Sequence, residues 1–397
     1  MSEFEIEYKK YNKYIYILNT MNKLGQYFTT NESLKYYVLE FIKNKPNTIL
    51  EPSVGRGDLV KYITDNTTAL FDMYEIDDTI KLLDGINRSN IVYQCFIKAG
   101  ITRKYKTIIG NPPYIKNTTG NLYIKFIKKC FNLLKQKGEL IFIIPSEFFK
   151  LTSSCKLIET MLSKGSFTHI YHPNKENLFK NAYIDVLVFR YCKDITLPKK
   201  VMFNGEEKFI INSSGMVTFE NEISKSTQLF KDYFDIHVGI VSGKDAIYKN
   251  SELGNIDVLC KKDLYEKFIL TKTFPSNDKK IDEYLLLNKE NLMKRKIKKF
   301  TEKNWFEWGA PRNIKKMEME KGKSCIYIHN LTRKEEVAFL GKVDYFGGNL
   351  IILIPKKNCD LKKVVSYLNS ISFKKNFIYS GRFKIGHRQL SNSIFNV

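Results

Sequence analysis

The chain has 397 residues, 43% hydrophobic and 27% charged, and 65 Lys+Arg against 42 Asp+Glu leave a formal net charge of +23. This composition excludes a disordered or fibrous chain, and the length predicts two domains, or three small ones, with ample length for a core. The positive excess selects a polyanionic partner, nucleic acid foremost, or else a lysine-rich solvated surface.

Short apolar runs alternate with amphipathic stretches through the first half. "ESLKYYVLEFIKNK" (32–45) reads as a helix with Asn31 as N-cap. "NTIL" (47–50), "ALFDMYEID" (69–77), "NIVYQCF" (90–96) and "YKTIIG" (105–110) read as strands. "NLYIKFIKKCFNLLKQKG" (121–138) reads as a helix that sets Leu122, Phe126, Cys130 and Leu133 on one face, with Gly138 as its stop. "ELIFIIP" (139–145), "THIYH" (168–172) and "IDVLVFRY" (184–191) read as three more strands. Strands alternating with helices predict a mostly parallel sheet covered on both faces. After about residue 195 the rhythm is lost. "KRKIKKF" (294–300) and "NWFEWGAPRNIKK" (304–316) interleave basic and aromatic groups. Lys294, Arg295, Trp305, Trp308, Arg312 and Lys315 are the candidate nucleic-acid contacts, with a charged helix and core tryptophans as the alternative.

Seven cysteines without a C-x-x-C pair argue against a disulfide framework or zinc site, so no metal is expected, and for a reducing compartment. "MSEFEIEYKK" lacks a signal-peptide pattern and no run is long enough to span a bilayer. The expectation is a soluble, intracellular protein with no membrane partner.

Three stretches carry chemistry. "ILEPSVGRGDLV" (49–60) leaves a strand, turns on Gly55 and Gly57, and enters a helix. Glu51 before the turn suits a ligand bearing an ammonium group better than a pyrophosphate. Glu75, at the end of the next strand, is placed to accept the hydroxyls of a ribose. In "IIGNPPYIKN" (108–117), Pro112 forces Asn111 into an extended conformation. The Asn111 side-chain oxygen and the Pro112 carbonyl are then expected to converge on an NH₂ group, with Tyr114 stacking on the ring that carries it.

These motifs, in this order over about residues 22–192, resemble the gamma-class, TaqI-like DNA adenine-N6 methyltransferases. "LGQYFTT" (24–30) is similar to the family's first cofactor segment, "EPSVGRG" and "YEID" (74–77) to its next two, and "NPPY" (111–114) to its catalytic tetrapeptide. The resemblance implies S-adenosylmethionine as cofactor, held by Thr29, Glu51, Ser53, Gly55, Gly57, Glu75, Ile76, Phe96 and Phe126. It implies catalysis by Asn111, Pro112, Pro113 and Tyr114. "LFKNAYIDVLVFRY" (178–191) matches a later motif that makes Phe179 the second aromatic against an extruded adenine. The family's Asp before Phe96 is Cys95 here, and a thiol is a weak acceptor.

The fold implied is an α/β, Rossmann-like class I methyltransferase domain (1–198) with a mixed, mostly parallel seven-stranded sheet. A smaller α+β target recognition domain (199–397) follows. The function implied is site-specific methylation of adenine N6 in double-stranded DNA, as in restriction–modification or viral modification. A cognate restriction endonuclease is a further candidate partner, and the chain is expected to be a monomer. A protein-glutamine or RNA-adenine methyltransferase shares the same tetrapeptide chemistry. A non-catalytic DNA-binding protein on a methyltransferase scaffold is the alternative of another class.

Overall fold

The structure is a computed structural model that describes residues 25–117, 120–175, 177–179, 184–213, 216–222, 228–379 and 382–395. Residues 180–183 of the later motif, and Leu24 of the first, lie outside the described residues. The chain divides into two units, Met1–Ile223 and Ser224–Val397.

The first unit is built on ten strands. In chain order these are β1 (Thr48–Glu51), β2 (Leu70–Glu75), β3 (Ile91–Tyr93), β4 (Tyr105–Gly110), β5 (Leu134–Pro145), β6 (Ser166–Tyr171), β7 (Val186–Cys192), β8 (Lys200–Phe203), β9 (Glu206–Ser213) and β10 (Met216–Glu220). Their order across the sheet is β10-β9-β8-β6-β7-β5-β4-β1-β2-β3. β1 pairs in parallel with both β2 and β4, β2 with β3, and β4 with β5. β7 runs antiparallel between β5 and β6. The seven strands β1–β7 are therefore the expected sheet, and the architecture is the α/β, Rossmann-like class I fold.

Two expectations are corrected. The sheet has ten strands because β8 joins the β6 edge in parallel, and β9 and β10 extend it as antiparallel strands. The unit consequently ends at Ile223 rather than at residue 198. The connection predicted after residue 195 is apolar on alternate positions, and Val201, Ile210 and Val217 are buried with the main core.

Helices α1 (Glu32–Glu40), α2 (Asp58–Thr64), α3 (Leu122–Leu133) and α4 (Cys155–Lys164) flank the sheet. Asn31 caps α1, its side-chain oxygen accepting from the Leu34 N–H. β5 is apolar at every position from Leu140 to Ile144 because both its faces are covered. Leu140, Phe142 and Ile144 pack with Phe126, Ile127 and Cys130 of α3. Ile141 and Ile143 pack with Leu34 and Val38 of α1 and Leu59 of α2. α3 ends earlier than predicted, at Leu133, where the chain turns extended. Gly138 is no helix stop. It lies in β5 beside the left-handed Lys137 (φ 57°), where an added Cβ would come 3.0 Å from the Tyr105 carbonyl oxygen.

The second unit has an antiparallel sheet made of β11 (Phe234–Val238), β14 (Ser324–His329), β15 (Ala338–Lys342) and β16 (Leu350–Pro355), in the order β11-β16-β14-β15. A hairpin of β12 (Ile256–Lys261) and β13 (Leu264–Phe268), with helices α5 (Lys279–Leu287) and α6 (Leu361–Asn369) among others, completes an α+β arrangement. Among the described residues no helix is long and apolar enough to cross a membrane.

Candidate active site

The sheet order reverses between β1 and β4, and in open α/β sheets ligands bind outside the carboxyl ends of strands at such a point. The predicted cofactor and catalytic residues meet there. Glu51 ends β1, Glu75 ends β2 and Asn111 follows β4. Pro52, Ser53, Gly55, Glu75 and Ile76 line a pocket at this edge together with Cys95, Phe96, Phe126, Asn111 and Pro113.

The turn between β1 and α2 needs both glycines. Gly55 has φ 56° and Gly57 φ 91°, and a Cβ on Gly57 would lie 2.6 Å from the Ile86 side chain. Glu75 fixes this turn. One carboxylate oxygen accepts from the Gly55 N–H (2.8 Å) and the other from the Ile76 and Asp77 N–H groups (2.9 and 3.0 Å). Glu75 is thus already held by main chain, which orients the carboxylate and leaves it one of about four acceptor positions.

Glu51 is buried, and its carboxyl accepts from the Ser53 N–H at 2.9 Å. Burial pushes its pKa up to about 8, outweighing the bonds from Ser53 that lower it. A cation beside it would restore the ionised form. Phe96 and Phe126 are buried and stacked on each other, with ring centroids 5.4 Å apart. They do not leave a slot between them; together they form one apolar wall. Lys129 holds that wall, donating to the carbonyls of Phe96, Ile97 and Ala99 and lying 4.7 Å from the Phe96 ring centre.

Asn111 is held at both ends of its amide. Nδ2 donates to the Tyr27 carbonyl (2.7 Å) and to Thr29 Oγ1 (3.0 Å), which fixes which end is nitrogen. Thr29 is buried and touches the amide rather than lining the pocket wall. Oδ1 faces the Tyr114 hydroxyl, which also lies 3.1 Å from the Ile143 carbonyl oxygen. The expectation of an Asn111 oxygen presented alone to the cleft is therefore modified, because Tyr114 already uses one of its two acceptor positions. Burial raises the Tyr114 pKa well above the ordinary phenol value, so its hydroxyl stays protonated.

The second aromatic is close by. The Phe179 and Tyr114 ring centres are 6.2 Å apart, but the planes meet at 73°. As they stand the two rings touch edge to face and cannot enclose a third between parallel planes. Tyr27 covers both, stacked on Tyr114 at 5.4 Å and tilted against Phe179 at 5.7 Å. Sequence reasoning missed Tyr27, although it lies in the quoted cofactor segment. It also missed Lys129, which shares the polar side of its helix with Lys125, Lys128 and Asn132 and so gave no signal.

The expected nucleic-acid patch is mostly corrected. Arg295 is buried and donates to the carbonyls of Leu292 (2.7 Å), Ser242 (3.0 Å), Glu307 (2.9 Å) and Trp305. Trp305 and Trp308 are 2% exposed and belong to a core cluster, and Trp308 Nε1 donates to the Ile269 carbonyl. Arg295 and Trp308 engage their polar groups inside the fold, and Trp305 is buried in the same cluster, so these three side chains are structural. Lys294, Arg312 and Lys315 are exposed, and Lys294 pairs with Glu290.

Residues 58–179 match the family model described as Eco57I restriction-modification methylase. The chain is 27% identical to the Type II methyltransferase M.HindII of Haemophilus influenzae over 67% of this chain and 58% of that protein. It is 30% identical to M.HincII of the same species over 48% of this chain and 41% of that one. It spans about half the length of these curated relatives. The solved structure of the Type IIL restriction-modification enzyme MmeI in complex with DNA has a similar fold. Its TM-score is 0.56 at 10% identity, covering 95% of this chain and 67% of that one.

Proposed function

We propose, from the similarity of residues 58–179 to a restriction-modification methylase family and of the chain to Type II methyltransferases, a site-specific DNA methyltransferase that methylates adenine N6. The observation that carries the reading is the Asn111 amide, fixed in orientation at the end of β4 beside the Glu75, Phe96 and Phe126 pocket. S-adenosylmethionine suits the donor set in that pocket. The apolar wall of Phe96 and Phe126 offers a face to an adenine, Glu75 retains acceptor capacity for a ribose, and buried Glu51 lacks the cation that would hold it ionised. The bound cofactor supplies an electrophilic methyl group on a sulfonium.

The protein's own contribution is placement. Asn111 Oδ1 has room for a second hydrogen bond after that of Tyr114, and it can take one from an exocyclic amine. Adenine N6 is a poor nucleophile because its lone pair is delocalised into the ring. A hydrogen bond from the amine to Oδ1 favours tetrahedral geometry and returns the pair to nitrogen. Positioning then does most of the remaining work, and no general base is needed before methyl transfer. In a duplex the amine is out of reach, so the base must leave the stack. Tyr114 is the aromatic face offered to it, worth about 1–3 kcal/mol of stacking, with Phe179 set edge-on beside it. Double-stranded DNA is the proposed partner, and exposed Lys294, Arg312 and Lys315 are its proposed phosphate contacts.

The test is incubation with tritium-labelled methyl donor and, separately, duplex DNA, RNA and a peptide release factor. Label is expected in DNA alone, as N6-methyladenine at one sequence identified by modification-sensitive sequencing. Asn111→Ala should lower incorporation about a hundredfold to a thousandfold and leave cofactor affinity, measured by calorimetry, within about threefold. Label in RNA or protein alone, or full activity in Asn111→Ala, overturns the reading.

A further inference from the structure

We propose that Tyr27 is a positioning residue for the target base, an internal ring that stands on Tyr114 until an adenine displaces it. The proposal rests on the reading that Tyr114 and Phe179 receive an extruded base.

Three observations converge on this residue. The Tyr27 ring stacks on Tyr114 with centres 5.4 Å apart and planes at 26°, the arrangement a base on Tyr114 would take. The same ring lies 5.7 Å from Phe179, so both proposed base-binding faces are covered by one side chain. The Tyr27 carbonyl accepts the Asn111 Nδ2–H at 2.7 Å. Tyr27 thus touches all three side chains proposed to meet the target base. It also belongs to the lining of the cofactor pocket.

The physical argument is competition. Aromatic faces left bare in water are costly, and Tyr27 keeps those of Tyr114 and Phe179 dry. A base can stack on the face of Tyr114 that Tyr27 covers only if the Tyr27 ring rotates away, because one face cannot hold two rings. Rotation about the side-chain bonds leaves the Tyr27 carbonyl in place, so the Asn111 amide keeps its orientation while the ring moves. Exchanging one aromatic neighbour for another cancels part of the stacking gain, so the Tyr27 ring raises the net cost of seating the base on Tyr114.

The test uses the full chain and a duplex with 2-aminopurine at the methylated position, which brightens when the base unstacks. Tyr27→Leu removes the competing ring. The KM for DNA is expected to fall roughly threefold to tenfold, the scale of one aromatic pair, with kcat within about twofold. The 2-aminopurine signal should saturate at correspondingly lower protein concentration. Tyr27→Trp strengthens the competing ring and should raise KM, which preserves the test if the leucine variant does not fold. An unchanged or raised KM in a folded Tyr27→Leu protein, or an unchanged KM in Tyr27→Trp, overturns the proposal. Tyr114→Ala separates the two readings. Loss of the 2-aminopurine signal there supports Tyr114 as the base's platform, and a retained signal sinks that platform and, with it, the role of Tyr27.

Discussion

Glu51 carries the sharpest consequence of a single side chain. Its folded pKa of about 8 stands above the ordinary value of 4.5, because burial opposes the charge. Between those two pH values the folded protein retains a proton that the unfolded chain has released. Stability of the ligand-free protein therefore falls as pH rises across that window, by up to about 1.4 kcal/mol per pH unit, and the full cost is present above pH 8. Glu51→Gln has no proton to lose. Its melting temperature at pH 8.5 is expected to exceed that of the parent by several degrees, with the gap closing towards pH 5. Cofactor affinity should change in the opposite sense, weakening in the glutamine variant. A parent melting curve that rises from pH 5 to pH 8.5 relative to Glu51→Gln would show that the carboxyl is ionised without penalty.

At the level of elements, an ion pair joins β5, β7 and the end of α1. Glu139 is fully buried in β5 and 2.8 Å from the Arg190 guanidinium of β7. It also accepts from Thr107 Oγ1 of β4 (2.9 Å) and from the Asn44 N–H just after α1 (3.1 Å). Every partner is a different segment, so one carboxylate fixes the register of three strands and the exit of a helix. Arg190→Met leaves that charge buried without its counter-ion, and the expected loss is about 3–5 kcal/mol. Urea unfolding should show a lower midpoint at unchanged slope. The double variant Arg190→Met with Glu139→Gln removes the stranded charge and should recover part of the loss. Equal stability of the parent and the single variant would mean that water reaches Glu139.

For the whole molecule, the division at Ile223 decides which polypeptide can stand alone. A chain cut at residue 198 loses β8, which pairs with β6 at Met202 and Phe203. It exposes the β6 edge and the apolar surface that Val201, Ile210 and Val217 cover, which invites edge-to-edge aggregation. A chain of residues 1–222 retains both. Size-exclusion chromatography is expected to give a soluble monomer for 1–222 and aggregates for 1–198. Equal solubility of the two would make β8–β10 an appendage rather than part of the core.

The order of β1–β7 and of α1–α3 was legible in the sequence, because burial on both faces leaves continuous apolar runs and amphipathic helices leave a periodic stripe; α4 (Cys155–Lys164) was not read. The glycine turn and the tetrapeptide were legible too, since positive φ and paired prolines restrict the backbone locally. The C-terminal end of α3 was not, because the pairing of β5 with β4 overrode the signal of Gly138. The character of "KRKIKKF" and "NWFEWGAPRNIKK" was not legible either. Composition cannot tell an arginine that satisfies buried carbonyls from one that meets a phosphate, and the fold assigns Arg295, Trp305 and Trp308 to its interior. Tyr27 and Asn111 are 84 positions apart, and only the sheet, by setting its carboxyl edge against the 25–30 segment, brought the ring, the amide and Tyr114 together. Local sequence determined what each segment becomes, and long-range packing decided which side chains meet, because a contact between distant segments depends on every element folded between them.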